Sequence, residues 1–379
     1  MIGRLIYSTK LTGEINVPQL DDYACLALKI ASVCSLPTVI SGIKLCDGLD
    51  EIKDTTERMG GSVSLRSGKI KVVPVKDKEA AFLAFFDDDL NMLEACMNRS
   101  EGDSEEETGE SVPLFRDGDY FFRGRVDDKA LIALIIGTVF YSNKANIMLS
   151  FPPGNTEYID LSLSLIRSFG GFVETNDYLT YTCSGIRKLI GGETVPLEGD
   201  WNIAAFGLMC GALGYQVTLK NANGSFSVQN GAKILQPLKR MGYVLEKSID
   251  GRMRMTTPAE TFPTQIDAEE CAEFLPYMIL MGSLCGGRTE IFNISDSLSK
   301  NVSDRIVSTV EEFTKLGVEF TSPADGAFQI VGRGNFEGGT KLDCHNDFII
   351  ATTLILATLR CKKSNTLLNC EILEDIYPD

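Results

Sequence analysis

Histidine is almost missing from this chain. One residue of 379, His345, carries an imidazole, so a multi-histidine zinc site is excluded, and a Ser-His or Cys-His nucleophile pair could be built only on that position. No CxxC pair occurs among the eleven cysteines. Their odd number, and the placement of several in apolar segments such as 208–213, read as reduced, buried thiols of a cytosolic protein rather than a disulfide frame. Positive charge is in deficit: 36 Lys and Arg against 52 Asp and Glu give a formal charge of -16. Nucleic acids and anionic membranes need a surface of the opposite sign, so neither is expected as a partner. Long apolar runs are missing as well. The stretch 348–359 spans 12 residues and includes Thr352 and Thr353, well short of the roughly 20 a membrane span needs. The segment 1–17 lacks the apolar core of a secretory signal. A cytoplasmic protein is expected.

What is present is enough apolar material, 44% of residues, for a large core, arranged in a repeating pattern. Four amphipathic segments end in a large apolar residue followed by Gly and pass directly into a strand pattern: Met59-Gly60, Phe169-Gly170, Met241-Gly242 and Leu316-Gly317. Glycine just past a helix is the usual left-handed cap. Five further segments, 24–34, 130–139, 204–213, 274–285 and 350–359, are apolar or small on every side, which predicts helices buried all round. Together they form a unit of buried helix, strand, exposed helix, Gly cap and strand. It recurs at roughly 60 to 75 residues, the mark of one architecture built several times. The stretch 75–113 breaks the pattern. There an apolar patch, 80–86, runs into 100–111, which holds six acids and no base. Such a composition predicts a solvated loop or, less simply, an acidic docking segment, and leaves one repeat truncated.

The repeat, with an ordered set of strings, resembles the enolpyruvyl transferase family, most closely the 3-phosphoshikimate 1-carboxyvinyltransferases. The strings are Gly124-Arg125-Val126-Asp127-Asp128-Lys129-Ala130-Leu131, Tyr158-Ile159-Asp160-Leu161-Ser162, Glu198-Gly199-Asp200-Trp201, Gly286-Gly287-Arg288-Thr289, Ser303-Asp304-Arg305 and Tyr377-Pro378. The resemblance implies an α/β (α+β) fold of about six βαβαββ units, the second truncated, with parallel buried helices. These units would form two domains, 1–17 plus 198–379 and 18–197. It also implies transfer of an enolpyruvyl group from phosphoenolpyruvate to shikimate 3-phosphate in aromatic amino-acid biosynthesis, without metal or cofactor. A monomer is expected.

Both family substrates are multiply anionic, so the site must supply several Lys and Arg and an acid-base pair. The family's cations give way here to Asp21, Leu26, Asn301, Ile349 and Asp375, and its acid to Val302. Its phosphate-binding serines and glutamine become Asp127, Asp128 and Lys129, and a further serine becomes Asn155 or Thr156. Glu273 stands at the general-base position, and Arg305 at one phosphoenolpyruvate arginine. Arg305 has a structural reading too, as a partner of Asp304. Glu273 reads equally as a solvated carboxylate and His345 as structural, while Asp21, Asp127, Asp128 and Asp375 would converge on one acidic cleft if the family fold holds. At roughly 2 to 3 kcal/mol for each lost charge-assisted contact, the substitutions remove more than about ten kcal/mol, around seven decades in rate. A family member depleted of its activity is therefore expected. Two other classes stand beside it: an active carboxyvinyltransferase that binds both anions, and a binding or scaffold subunit that uses 100–111 for protein contact. A cousin acting on a nucleotide sugar is disfavoured, because Cys96 lacks the Arg and Gly surroundings of that family's reactive loop.

Overall fold

The computed structural model describes residues 4–6, 10–44, 46, 48–100, 115, 117–141, 144–184, 189–222, 227–295 and 298–376. They belong to two compact units, Pro18–Glu198 and Met1–Val17 with Gly199–Asp379.

In Pro18–Glu198, helix α1 (Asp21–Val33) buries Ala24, Leu28 and Ile30 on different sides, as all-round apolarity requires. Helix α2 (Leu49–Arg58) is the amphipathic partner, burying only Leu49, Ile52 and Thr56. Helix α3 (Lys78–Ser100) is kinked at Phe86 and lays Phe82, Phe86 and Leu93 against α1 and helix α4 (Asp128–Tyr141). Every residue of α4 from Ala130 to Val139 is buried, and helix α5 (Thr156–Ser168) again buries one stripe. The other unit repeats the alternation. Helices α6 (Trp201–Ala212), α8 (Leu275–Leu284) and α10 (Phe348–Thr358) are buried nearly throughout. Helices α7 (Leu235–Arg240) and α9 (Lys300–Lys315) are the capped, exposed ones.

Strand order makes the repeat explicit. Gly118–Phe122 runs parallel to Lys144–Leu149, which pairs antiparallel with Thr180–Ser184, and Phe172–Thr175 lies outermost. The same order recurs in Thr194–Pro196, Thr38–Ser41, Lys69–Val73 and Ser62–Arg66. In the second unit it recurs twice more, from Thr12–Asn16 beside Gln216–Lys220 and from Gln265–Asp267 beside Gly287–Phe292. Helix α10 is served by shorter strands split between a three-stranded and a two-stranded sheet. The truncated repeat keeps helix α3 without a four-stranded sheet of its own among the described residues.

The four expected Gly closures all form, with φ between 83° and 97°. At Gly170, φ is 93°, Gly170 N donates to Arg167 O at 2.9 Å, and Gly171 N donates to Ile166 O at 2.9 Å. That pair of bonds satisfies two terminal carbonyls and turns the chain into the next strand.

Two expectations need correction. The sequence reading placed no element in 75–113, yet α3 fills its first part; the acidic run lies, from residue 101 onward, outside the described residues. The cysteines are not uniformly buried either: eight are, while Cys25, Cys46 and Cys96 are half-buried.

Candidate functional site

In Pro18–Glu198 the acids at the resemblance positions turn toward the chain's own backbone. Asp127 Oδ1 accepts from Lys129 N at 2.9 Å and Ala130 N at 3.2 Å, so it caps α4. Asp128 Oδ1 accepts from Gly154 N at 2.9 Å, and its Oδ2 from Asn155 N at 2.8 Å. This carboxylate therefore holds two consecutive N–H groups just before α5. Asn155 is itself the cap of α5, accepting from Tyr158 N at 3.0 Å, and Thr156 opens that helix in an exposed position. Lys129 Nζ lies 3.1 Å from Asp22 Oδ1.

Four neighbours complete this face, and sequence reasoning singled out none of them as a site residue. Burial pushes the Tyr158 phenol up, helped by Asp22, Asp89 and Asp127. Burial also raises the Asp89 carboxyl, against the pull of Lys29 and Lys129. Asp22, Asp89, Lys29 and Tyr158 thus share one field with Asp127 and Lys129. Tyr158 stood in a quoted string and Asp22 beside a substituted position; Asp89 belongs to the helix that the pattern missed. Asp21 faces elsewhere, toward the Cys46 thiol, and Leu26 is buried in α1. The acids expected to converge do not gather here: Asp127 shares a field with Asp22 and Asp89, Asp128 is turned to Gly154 N and Asn155 N, and Asp21 to Cys46.

In the second unit Arg305 on α9 is enclosed by carboxylates. Its Nε donates to Asp347 Oδ2 at 2.9 Å, and its Nη2 stands 2.8 Å from the same oxygen. Its Nη1 donates to Glu273 Oε2 at 2.7 Å and Glu273 O at 3.1 Å. The reading that paired Arg305 with Asp304 is corrected, because Asp347 and Glu273 hold the guanidinium instead. Burial works against the charge, but Asp347 and then Glu273 outweigh it and raise the pKa of Arg305. Glu273 is also no longer simply solvated, since half of its side chain is covered. Asp347 caps α10 as well, its Oδ1 accepting from Ile350 N at 2.9 Å.

The remaining substituted positions have been taken into packing or stand idle. Val302 and Ile349 are buried, and Asn301 is exposed. The side chain of Asp375, and Tyr377 with Pro378, lie outside the described residues. His345 sits in a left-handed turn at φ 52° before Asp347, with Nε2 3.7 Å from Glu312 Oε1. No group of three or more His, Cys, Asp or Glu able to hold a metal ion occurs among the described residues, and no described helix is long and apolar enough to cross a membrane.

Chemically, these arrangements bind themselves. The Gly154 and Asn155 N–H groups and the Arg305 guanidinium have carboxylate partners, with which an arriving dianion would have to compete. Leu26, Val302 and Ile349 have joined the core, so a charge restored there would begin in an apolar setting.

Known proteins agree with the architecture. An enolpyruvyl transferase, NikO from Streptomyces tendae, superposes with a TM-score of 0.62 at 14% identity over 99% of this chain and 95% of its own. EPSP synthase from Acinetobacter baumannii reaches a TM-score of 0.72 at 16% identity, over 99% and 95%. In sequence, the 3-phosphoshikimate 1-carboxyvinyltransferase of Clostridium acetobutylicum is 29% identical over 275 residues, covering 71% of this chain and 62% of that protein. The chain thus spans less than two thirds of such a relative. The like-named protein of Clostridium perfringens strain 13 is 23% identical over 410 residues, covering 99% and 95%. The family model described as EPSP synthase (3-phosphoshikimate 1-carboxyvinyltransferase) matches residues 134–379, more than half of the chain, and the chain belongs to that family.

Proposed function

We propose that this chain is a family member that has given up enolpyruvyl transfer, its anion-binding positions turned inward onto its own carboxylates. The observation that carries the reading is Asp128, whose two oxygens take up the Gly154 and Asn155 N–H groups. A phosphate brought to those donors would meet a carboxylate, and two unit charges of like sign 4 Å apart repel by roughly 4 kcal/mol at an effective dielectric of about 20. Arg305 supports the reading from the other unit. To take phosphoenolpyruvate it must first leave Asp347 and Glu273. Glu273, the inferred general base, is tied up by the same contact.

A second reading, an active 3-phosphoshikimate 1-carboxyvinyltransferase, is favoured by the near full-length likeness to the Clostridium perfringens protein. Calorimetric titration with shikimate 3-phosphate, alone and then with phosphoenolpyruvate, separates the two. The inward-turned site gives no saturable heat with either addition. Micromolar binding that tightens when phosphoenolpyruvate is added establishes the second reading and overturns the first.

A further inference from the structure

The thiols of Cys25 and Cys46 occupy a place that the proposed reading does not use. Cys25 lies one helical turn beyond Asp21 on α1, so both side chains project from one face near the start of the helix. Lys44 is held near that end by Gln19, whose Nε2 donates to Lys44 O at 2.7 Å and whose Oε1 accepts from Lys44 N at 2.9 Å. Two residues past Cys46, Gly48 passes so near α1 that a Cβ on it would stand 3.3 Å from Cys25 Sγ. Leu49 N at the start of α2 donates back to Cys46 O at 3.3 Å. Cys46 therefore lies between Lys44, held by Gln19 just before α1, and Gly48, held against α1, and its side chain hydrogen-bonds those of Asp21 and Cys25. Both are among the three half-buried cysteines; the third, Cys96, is turned to Arg125 O at 3.8 Å.

We propose that Cys25 and Cys46 form a dithiol site that closes to a disulfide at the expense of a small disulfide such as oxidised glutathione. One thiolate attacks a glutathione sulfur and expels a glutathione thiolate. The second then attacks the protein sulfur of the mixed disulfide and expels the other glutathione. The two thiol protons end on the departing glutathiones, so one disulfide is reduced as one is formed. Closure would tether the segment before α2 to the end of α1 that carries Asp21 and Asp22.

The surroundings set the rate of this step. Burial raises both thiols, and for Cys46 burial and then Asp21 push the value up to about 12. At Cys25, Lys29 pulls the other way, while Asp22 and Asp21 add to the rise. Thiolate is scarce at neutral pH, so closure is slow there and quickens by about tenfold for each unit of rising pH. Asp21→Asn removes a carboxylate that holds the proton on Cys46 and speeds closure severalfold.

The full chain is equilibrated at about pH 8 in glutathione buffers of increasing oxidised fraction, alkylated, digested and mapped by mass spectrometry. The expected product is a single linkage between the Cys25 and Cys46 peptides, reversed by reduced glutathione and formed faster in D21N. In C46S, Cys25 stops at the mixed disulfide, while C96S closes as the parent does. Alkylation of both thiols at every ratio overturns the proposal, as does a linkage through other cysteines or a D21N rate equal to the parent's.

Discussion

Arg305 in one unit and Lys129 in the other are both cations answered by carboxylates of their own chain, and they differ in what sets the energy. The Arg305 side chain is 15% exposed and meets Asp347 and Glu273 through three nitrogens. Lys129 is 54% exposed and meets one oxygen of Asp22, itself 66% exposed. The Arg305 contact with Asp347 is largely covered, so losing Asp347 costs several kcal/mol, while Glu273, half exposed, counts for less; the Lys129 contact is worth about 0 to 1 kcal/mol. Pro18–Glu198 makes up the difference by another route, placing Asp128 on two backbone N–H groups whose dipoles the fold has already oriented. Under the proposed reading, one binding position is closed by an ion pair in one unit and another by a carboxylate on peptide dipoles in the other. Only the exposed Lys129 contact is cheap to undo.

The largest expected effect breaks the comparison on the Arg305 side. Asp347→Ala removes a helix cap and one of two carboxylates on a largely covered guanidinium, and urea unfolding should show a loss of about 3 kcal/mol. Next, Asp128→Ala leaves Gly154 and Asn155 N–H without their acceptor; about 1 to 2 kcal/mol should be lost, part of it recovered in Asp128→Asn, which keeps one oxygen.

Acid should then separate the units by sign. The Asp343 carboxyl lies below its ordinary value because the bonds from His345 N and Asn369, aided by the charge of Lys315, overcome the rise due to burial. Its stabilising contribution is present above the unfolded pKa, about 4, and is lost as pH falls through the lower folded value. Asp89 is raised by burial, so it opposes folding at neutral pH, and that opposition fades as pH falls through its folded pKa toward the ordinary range. Asp343→Asn should therefore destabilise at pH 7 and not in strong acid, whereas Asp89→Asn should stabilise at pH 7 and converge with the parent below about pH 4. Denaturant titrations at a series of pH values read both. Smallest of all, Lys129→Ala should shift unfolding by no more than about 0.5 kcal/mol.

The buried helices and the Gly closures were legible because an all-round apolar segment, or an apolar residue followed by Gly, survives whatever packs against it. Helix α3 was not legible. Asp87, Asp88 and Asp89 interrupt its middle and an acidic run follows, so its apolar face does not stand out until Phe82 and Leu93 are seen against α1 and α4. The resemblance offered Leu26, Val302 and Ile349 as replaced site residues; that all three lie in the core was not legible from it. The true partner of Arg305 stands 42 positions away, and sequence proximity suggested Asp304 instead. The role of Asp128 depends on a loop 26 residues on, a pairing that only the fold creates.

Inorganic phosphate released by the purified chain with saturating shikimate 3-phosphate and phosphoenolpyruvate, run beside the Clostridium acetobutylicum relative, tests the self-occupied site most directly. Release indistinguishable from a protein-free blank is expected, while the relative turns over. Release that scales with the amount of this chain and saturates in both substrates would contradict it, showing that Asp128, Asp347 and Glu273 yield to the substrates they are proposed to replace.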